Sequence, residues 1–308
     1  MSKIAAVFPG QGSQYVGMGK DFFDKFEEYK VLIEKADEIL KYDLSKLMFD
    51  GPEEELRLTY NTQPALLVMS VGIFNLIKDK INFDGFAGHS LGEYSAVVAA
   101  GGLTFEDALL AVHNRGKFMQ EAVPVGVGAM AAVIGANVED VERLCISISK
   151  EGFLVEPANY NSSNQIVVAG HSDAVEEFMS RAKEISAKRV VKLPVSAPFH
   201  CALMKPAEEK MKNYLEKVRF SDIDKPVYSN VTADLEFKAT EIKENLIKQV
   251  SSPVRWSQLI EKMIEDGFTT FVEIGAGNVL TGLIKKINRQ VKTVNISKVE
   301  DLGKLEDI

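Results

Sequence analysis

The sequence predicts an α/β protein, a largely parallel sheet covered by helices, with a smaller α+β module set into it. Three observations predict it. Apolar runs of strand length alternate with longer stretches of helical spacing through most of the chain. The 308 residues are 46% hydrophobic and 26% charged, enough for roughly two domains and a full core without disulfides or a structural metal. Between residues 126 and 194 the alternation changes to β-α-β-β-α-β.

Taken in order, Ile4 to Phe8 reads as a first buried strand. Tyr29 to Lys41 places Val31, Leu32, Ala36, Ile39 and Leu40 at helical spacing with charges between them. Gln63 to Lys80 reads as a long apolar helix, Phe83 to Ala87 as a short strand and Leu91 to Ala100 as a helix lying on the sheet. Thr104 and Asp107 have the spacing of a capping box and open the helix that carries Arg115. Ala129 to Ile134 is a strand, and Asn137 caps a helix running to about Ser149. Phe153 to Ala158 and Gln165 to Ala169 are strands, separated by the turn-forming run Asn159 to Asn164. Ser172 to Ile185 is a helix and Arg189 to Leu193 the module's last strand. That order is the ferredoxin-like arrangement. The α/β pattern then resumes through Tyr228, Phe271 to Ile274 and Thr293 to Ile296, so residues 126–194 read as inserted into a unit made of 1–125 and 195–308.

Charge and cysteine usage narrow the function. The net charge of −8 disfavours nucleic acid and anionic membranes as partners. Cys145 and Cys201, far apart and in no metal-ligand spacing, fit a reducing cytoplasm and predict neither a disulfide scaffold nor a zinc site. Met1 to Val7 is too short for the apolar core of a signal peptide. The uncharged stretch Val125 to Val138 falls short of the ~20 residues that span a bilayer. The expectation is a soluble cytoplasmic protein with no membrane partner.

The sharpest chemical signal is Gly88-His89-Ser90-Leu91-Gly92. Following a strand and opening an apolar helix, it has the context of a nucleophile elbow, as in an α/β-hydrolase-like unit. Ser90 would stand at a helix N-terminus, where free N–H groups stabilise an oxyanion. A serine needs a base, and four histidines are available. His89 should point away from Ser90, His113 lies on another helix face than Arg115, and His171 belongs to the inserted module. His200, after the segment Leu193–Phe199 that re-enters the large unit, remains by elimination. Pro9-Gly10-Gln11-Gly12-Ser13-Gln14 follows the first strand but has Tyr15 where a dinucleotide fingerprint needs glycine. Its loop would aim a backbone N–H and the Gln11 amide at the same crevice. Arg115, flanked by Asn114 and Gly116, breaks the apolar pattern of its helix and has the chemistry to hold a carboxylate.

Together with Asn159-Tyr160-Asn161-Ser162, Pro198-Phe199-His200-Cys201-Ala202-Leu203-Met204 and Gln249-Val250-Ser251-Ser252-Pro253-Val254-Arg255-Trp256, these blocks resemble the malonyl-CoA:acyl-carrier-protein transacylases of fatty acid synthesis over nearly the whole chain. The resemblance implies Ser90 as acylated nucleophile, His200 as base, backbone N–H groups of Gln11 and Leu91 as oxyanion hole, and Arg115 on the malonyl carboxylate. It further implies that the main-chain carbonyl of Gln249 orients His200, that Asn161 supports the site, and that no metal or resident cofactor takes part. Malonyl-CoA would be the donor and acyl carrier protein the transient partner. Ala276 replaces the proline of the family's Gly-Pro-Gly turn, and Leu91 with Phe199 resembles the malonyl-selective pattern. An acidic carrier protein would need a basic docking strip, for which Lys285, Lys286, Arg289 and Lys292, with Lys188, Arg189 and Lys192 as a second bank, are the candidates. Two alternatives stand beside this reading. A serine esterase or thioesterase shares the elbow but lacks a His-Gly oxyanion motif here and gives Arg115 no role. A polyketide carrier protein could also be the acceptor.

Overall fold

Strand β1 (Lys3–Phe8) shows how the core is divided. Its side chains alternate across the sheet: Ala6 and Phe8 enter one apolar cluster, Ala5 and Val7 another. Both faces are therefore covered, which is why this strand is a continuous apolar run rather than an alternating one. A computed structural model describes residues 2–195 and 197–308. Met1 and Ser196, within the expected Met1–Val7 and Leu193–Phe199 segments, lie outside the described residues.

After β1 come the helices α1 (Lys20–Lys25), α2 (Glu27–Leu40), α3 (Leu44–Asp50), α4 (Glu53–Leu56) and α5 (Thr59–Ile77). Strand β2 (Gly85–Gly88) then leads into α6 (Gly92–Ala99) and α7 (Phe105–Glu121). From Pro64 to Phe74 every residue of helix α5 is buried, which is why that stretch is apolar on nearly all sides. It begins at Thr59, four residues before the expected Gln63. Pro64 thus sits inside the helix and cannot supply the N–H that would bond the Tyr60 carbonyl. The His113 ring fills that place, donating from Nδ1 to the Tyr60 oxygen at 3.0 Å. At the start of α7 the Thr104 hydroxyl accepts from the Asp107 N–H at 3.1 Å, the expected cap.

The chain next builds a second, antiparallel sheet from β3 (Gly128–Ile134), α8 (Val138–Ile148), β4 (Val155–Ser162), β5 (Gln165–His171), α9 (Ser172–Arg181), a 3-10 turn (Ala182–Ile185) and β6 (Arg189–Lys192). Its strand order is β4-β5-β3-β6, and Asn137 caps α8 as expected. The asparagine-rich run from Asn159 is strand up to Ser162, and only Ser163 and Asn164 turn. Backbone pairing overrides composition there. β5 bonds one edge of β4, and Val254 bonds the other, with Tyr160 N–H on the Val254 carbonyl and Val254 N–H on the Ala158 carbonyl, each at 2.8 Å.

The return passes through α10 (Lys205–Leu215), β7 (Val227–Tyr228), β8 (Leu235–Glu236), α11 (Ala239–Lys248), α12 (Trp256–Glu265), β9 (Phe268–Ile274), α13 (Val279–Ile287) and β10 (Lys292–Ile296). The first sheet has the order β10-β9-β1-β2-β7-β8. It is parallel except for β8, which pairs antiparallel with β7, so the sheet is mixed. Residues at the carboxyl ends of β1, β2 and β7 consequently face one crevice, the usual place for ligands in such sheets. Among the described residues no helix is long and apolar enough to cross a membrane.

Candidate active site

The elbow is dictated by two close approaches. A Cβ on Gly88 would lie 1.9 Å from the Gly92 carbonyl carbon, and one on Gly92 would lie 2.1 Å from the Phe8 oxygen. Only glycine fits at either place. Between them Ser90 takes a left-handed backbone, φ 51°. Its N–H donates to Asn230 Oδ1 at 2.7 Å, and Asn230 Nδ2 donates to the Gly88 carbonyl at 2.7 Å. The side chain of Asn230, just past β7, thus pins both ends of the bend.

Ser90 Oγ lies 2.7 Å from His200 Nε2. His200 Nδ1 lies 2.8 Å from the Gln249 carbonyl, which can only accept, so Nδ1 carries the proton and Nε2 faces the serine with a free lone pair. Burial, with the nearby Arg115 cation, pushes the His200 pKa down to about 3. The imidazole is neutral at ordinary pH and can accept the Ser90 proton without first losing one.

Arg115 is 1% exposed. Its Nη1 donates to Gln63 Oε1 and its Nη2 to Gln249 Oε1, each at 2.8 Å, while Nη2 also reaches Ser90 Oγ at 3.2 Å. Two neutral amides hold the guanidinium without cancelling its charge. A fixed buried cation beside a serine hydroxyl has the chemistry to hold an anionic group. Gln11 and Leu91 line the same small cavity as Ser90, Arg115 and His200, about 100 Å³ in volume. That is the space of roughly three water molecules, suited to a short acyl group. The cavity continues outward, across Gln11, His89 and Val195, into a cleft of about 440 Å³ between α13 and the edge of the second sheet. A larger hollow, about 680 Å³ around Phe74, Phe83 and Lys225, shares no residue with either.

One histidine sits differently from expectation. His89 does not point away but lines the cavity, with its ring on Trp256 and Nε2 2.8 Å from Asn161 Oδ1. Asn161 thus meets the site through His89. Sequence reasoning missed Gln63, Glu93 and Asn230. Asn230 was within reach, since it follows a strand at the sheet's carboxyl edge, and Gln63 was a polar residue opening an apolar helix. Among the described residues no group of three or more His, Cys, Asp and Glu side chains is placed to hold a metal ion.

The acyl transferase domain family matches residues 6–306, and the enzyme is an acyltransferase. A malonyl CoA-acyl carrier protein transacylase of Bacillus subtilis (strain 168) is 51% identical over 303 residues, covering 98% of this chain and 96% of that protein. Among solved structures, a malonyl-transacylase in complex with its type II PKS acyl-carrier protein superposes with a TM-score of 0.97 at 43% identity, covering 100% of both chains. An acyl carrier protein S-malonyltransferase from Vibrio cholerae gives 0.96 at 44%, covering 99% of this chain and 100% of that one. This chain belongs to the malonyl CoA-acyl carrier protein transacylase family.

Proposed function

We propose that the enzyme moves the malonyl group of malonyl-CoA to the phosphopantetheine thiol of acyl carrier protein, by a ping-pong route through a Ser90 ester. One observation carries the mechanism: Ser90 Oγ is shared by an uncharged imidazole and a buried guanidinium. His200 Nε2 takes the Ser90 proton as Oγ attacks the thioester carbonyl. The oxyanion sits on the N–H groups of Gln11 and Leu91. Its collapse breaks the C–S bond, and the imidazolium returns the proton to the departing CoA sulfur. Once Oγ is an ester, Arg115 Nη2 turns from it to the malonyl carboxylate. The carrier thiol then gives its proton to His200, its sulfur attacks the ester, and Ser90 recovers the proton. The Gln249 carbonyl keeps the imidazole in the reactive tautomer throughout, and no resident cofactor is needed.

The large unit in this reading is α/β-hydrolase-like, formed by residues 1–125 and 195–308, with 126–194 as a ferredoxin-like insertion. The strand order β4-β5-β3-β6 and a separate apolar cluster around Val141, Val168 and Phe178 support the division. Carrier protein docks at the outer cleft. Val279, Leu280 and Leu283 of α13 line it, and Lys286 from the same helix bonds Gln165 on its rim at 3.0 Å. Lys285, Arg289, Lys188 and Arg189 are exposed, and Lys192 pairs with Glu176. Buried, unpaired Cys145 and Cys201 suit the cytoplasm. A polyketide carrier is the second acceptor to consider, because the superposed transacylase is bound to one. Mass spectrometry after mixing with malonyl-CoA tests the core of the proposal. A malonyl adduct on the Ser90 peptide, absent from Ser90→Ala, is expected, and an adduct on any other residue overturns it.

A further inference from the structure

Glu93 is a buried acid that the mechanism leaves unused. It stands three residues after Ser90 in α6 and is fully buried, an unfavourable place for a carboxyl group unless its bonds are needed. Burial and the Glu236 carboxylate both push its pKa upward. Its Oε1 has no partner. Its Oε2 accepts from Gln249 Nε2 at 2.7 Å and from the Asn230 backbone N–H at 3.1 Å.

Both donors belong to residues that touch the reacting groups. Asn230 bonds the Ser90 N–H, and Gln249 bonds Arg115 through Oε1 and His200 through its main-chain carbonyl. A glutamine amide has a donor end and an acceptor end, and Arg115 can only donate. The Gln249 Nε2 end is held by two acceptors, the Ser90 carbonyl at 2.9 Å and Glu93 Oε2. With Nε2 fixed there, Oε1 must face the guanidinium. Rotated by half a turn, the amide would set its NH2 group against Arg115, donor against donor. The geometry points to Glu93 as a positioning residue: its carboxyl group fixes the Gln249 amide and thereby aims Arg115 at the carboxylate of the acyl group.

This inference rests on the acyl-transfer reading. Only Oε2 is required, as an acceptor, and protonation of Oε1 leaves that contact intact. The Ser90 carbonyl continues to hold Nε2 when Glu93 is changed, so the loss is graded rather than complete.

The test is the single-turnover rate of Ser90 acylation by malonyl-CoA and by acetyl-CoA, expressed as a ratio. Variants are Glu93→Met, which fills the volume without an acceptor, Glu93→Gln, Gln249→Ala and the Glu93→Met/Gln249→Ala pair. Glu93→Met should lower the malonyl-to-acetyl ratio about tenfold, the size of one misaligned buried hydrogen bond. Glu93→Gln keeps an acceptor at Oε2 and should stay within about threefold of the parent. In the Gln249→Ala background Glu93→Met should cost nothing more, because the two act along one line. A merely structural Glu93 would lower the thermal midpoint and slow both substrates alike. Glu93→Ala replaces Glu93→Met if the latter does not fold. An unchanged ratio in the folded variant, an equal loss in Glu93→Gln, or losses that multiply in the pair each overturn the inference. A parent enzyme with no preference for malonyl-CoA overturns instead the reading on which it rests.

Discussion

Replacing Arg115 by alanine separates recognition of the acyl group from the chemistry of its transfer. The guanidinium is buried, and its fork is anchored by Gln63 and Gln249. A malonyl carboxylate brought into the 100 Å³ cavity without Arg115 is a buried charge lacking its partner. Breaking a buried pair in this way costs about 3–5 kcal/mol. At 1.36 kcal/mol per decade, kcat/KM for malonyl-CoA should fall roughly 100- to 5000-fold. Acetyl-CoA carries no carboxylate, and the groups proposed to act on its carbonyl, Ser90, His200 and the N–H groups of Gln11 and Leu91, are untouched. Its kcat/KM should change by less than about tenfold, the two freed amides being neutral and able to bond water that enters the space. The assay is acylation of Ser90 under single turnover with each thioester, beside a thermal midpoint showing that the variant is folded. Equal losses for malonyl-CoA and acetyl-CoA would refute the argument and leave Arg115 as a structural residue.

Three further outcomes follow from the same geometry. Because the His200 pKa is pushed down to about 3, acylation should show no inflection near 6.5 and stay level from pH 8 to about pH 5, while His200→Ala slows it at least ~100-fold. The unfolded chain binds a proton at His200 below pH 6.5 that the folded chain refuses until about pH 3. The stability tied to this residue is therefore complete above pH 6.5 and lost as pH falls toward 3, and the parent's midpoint should drop relative to His200→Gln over that window. Reversing Lys285 and Lys286 to glutamate should raise KM for carrier protein at low salt and leave acylation by malonyl-CoA nearly intact, a difference that fades as salt rises. Normal transfer by that double variant at low salt would move the docking surface elsewhere.

What could be read from the sequence follows the range of the forces involved. The elbow was legible because its constraint is local: Gly88 and Gly92 are excluded from carrying side chains by atoms of the same turn and of β1. The caps at Thr104 and Asn137 were legible for the same reason. The run Asn159–Asn164 was misread because its composition favours a turn, while backbone pairing with β5 on one edge and with distant Val254 on the other keeps it extended to Ser162. The start of α5 was misplaced because the carbonyl left free by Pro64 is satisfied by His113 from another helix. In the site, Ser90 and His200 could be chosen by motif and elimination. Asn230 and Gln63 stood at positions the sequence could flag, but their contacts could not be read: Asn230 and the Gln249 side chain on Ser90, and Gln63 on Arg115, act across the tertiary fold.

The left-handed backbone at Ser90 has a counterpart at His200, whose φ is 60°. Both reacting side chains therefore stand where glycine would be more comfortable, at a cost of about 1–3 kcal/mol each. The fold tolerates this because its packing, not the two residues, holds the chain in those bends. Robustness and reactivity pull in opposite directions at Ser90. Glycine at 90 would relieve the bend and leave the molecule inert, whereas glycine at 200 would also empty a buried site and strand the Gln249 carbonyl. A search for a hardier form of this enzyme has to score turnover in every round, since relief of the strain at Ser90 removes the hydroxyl itself.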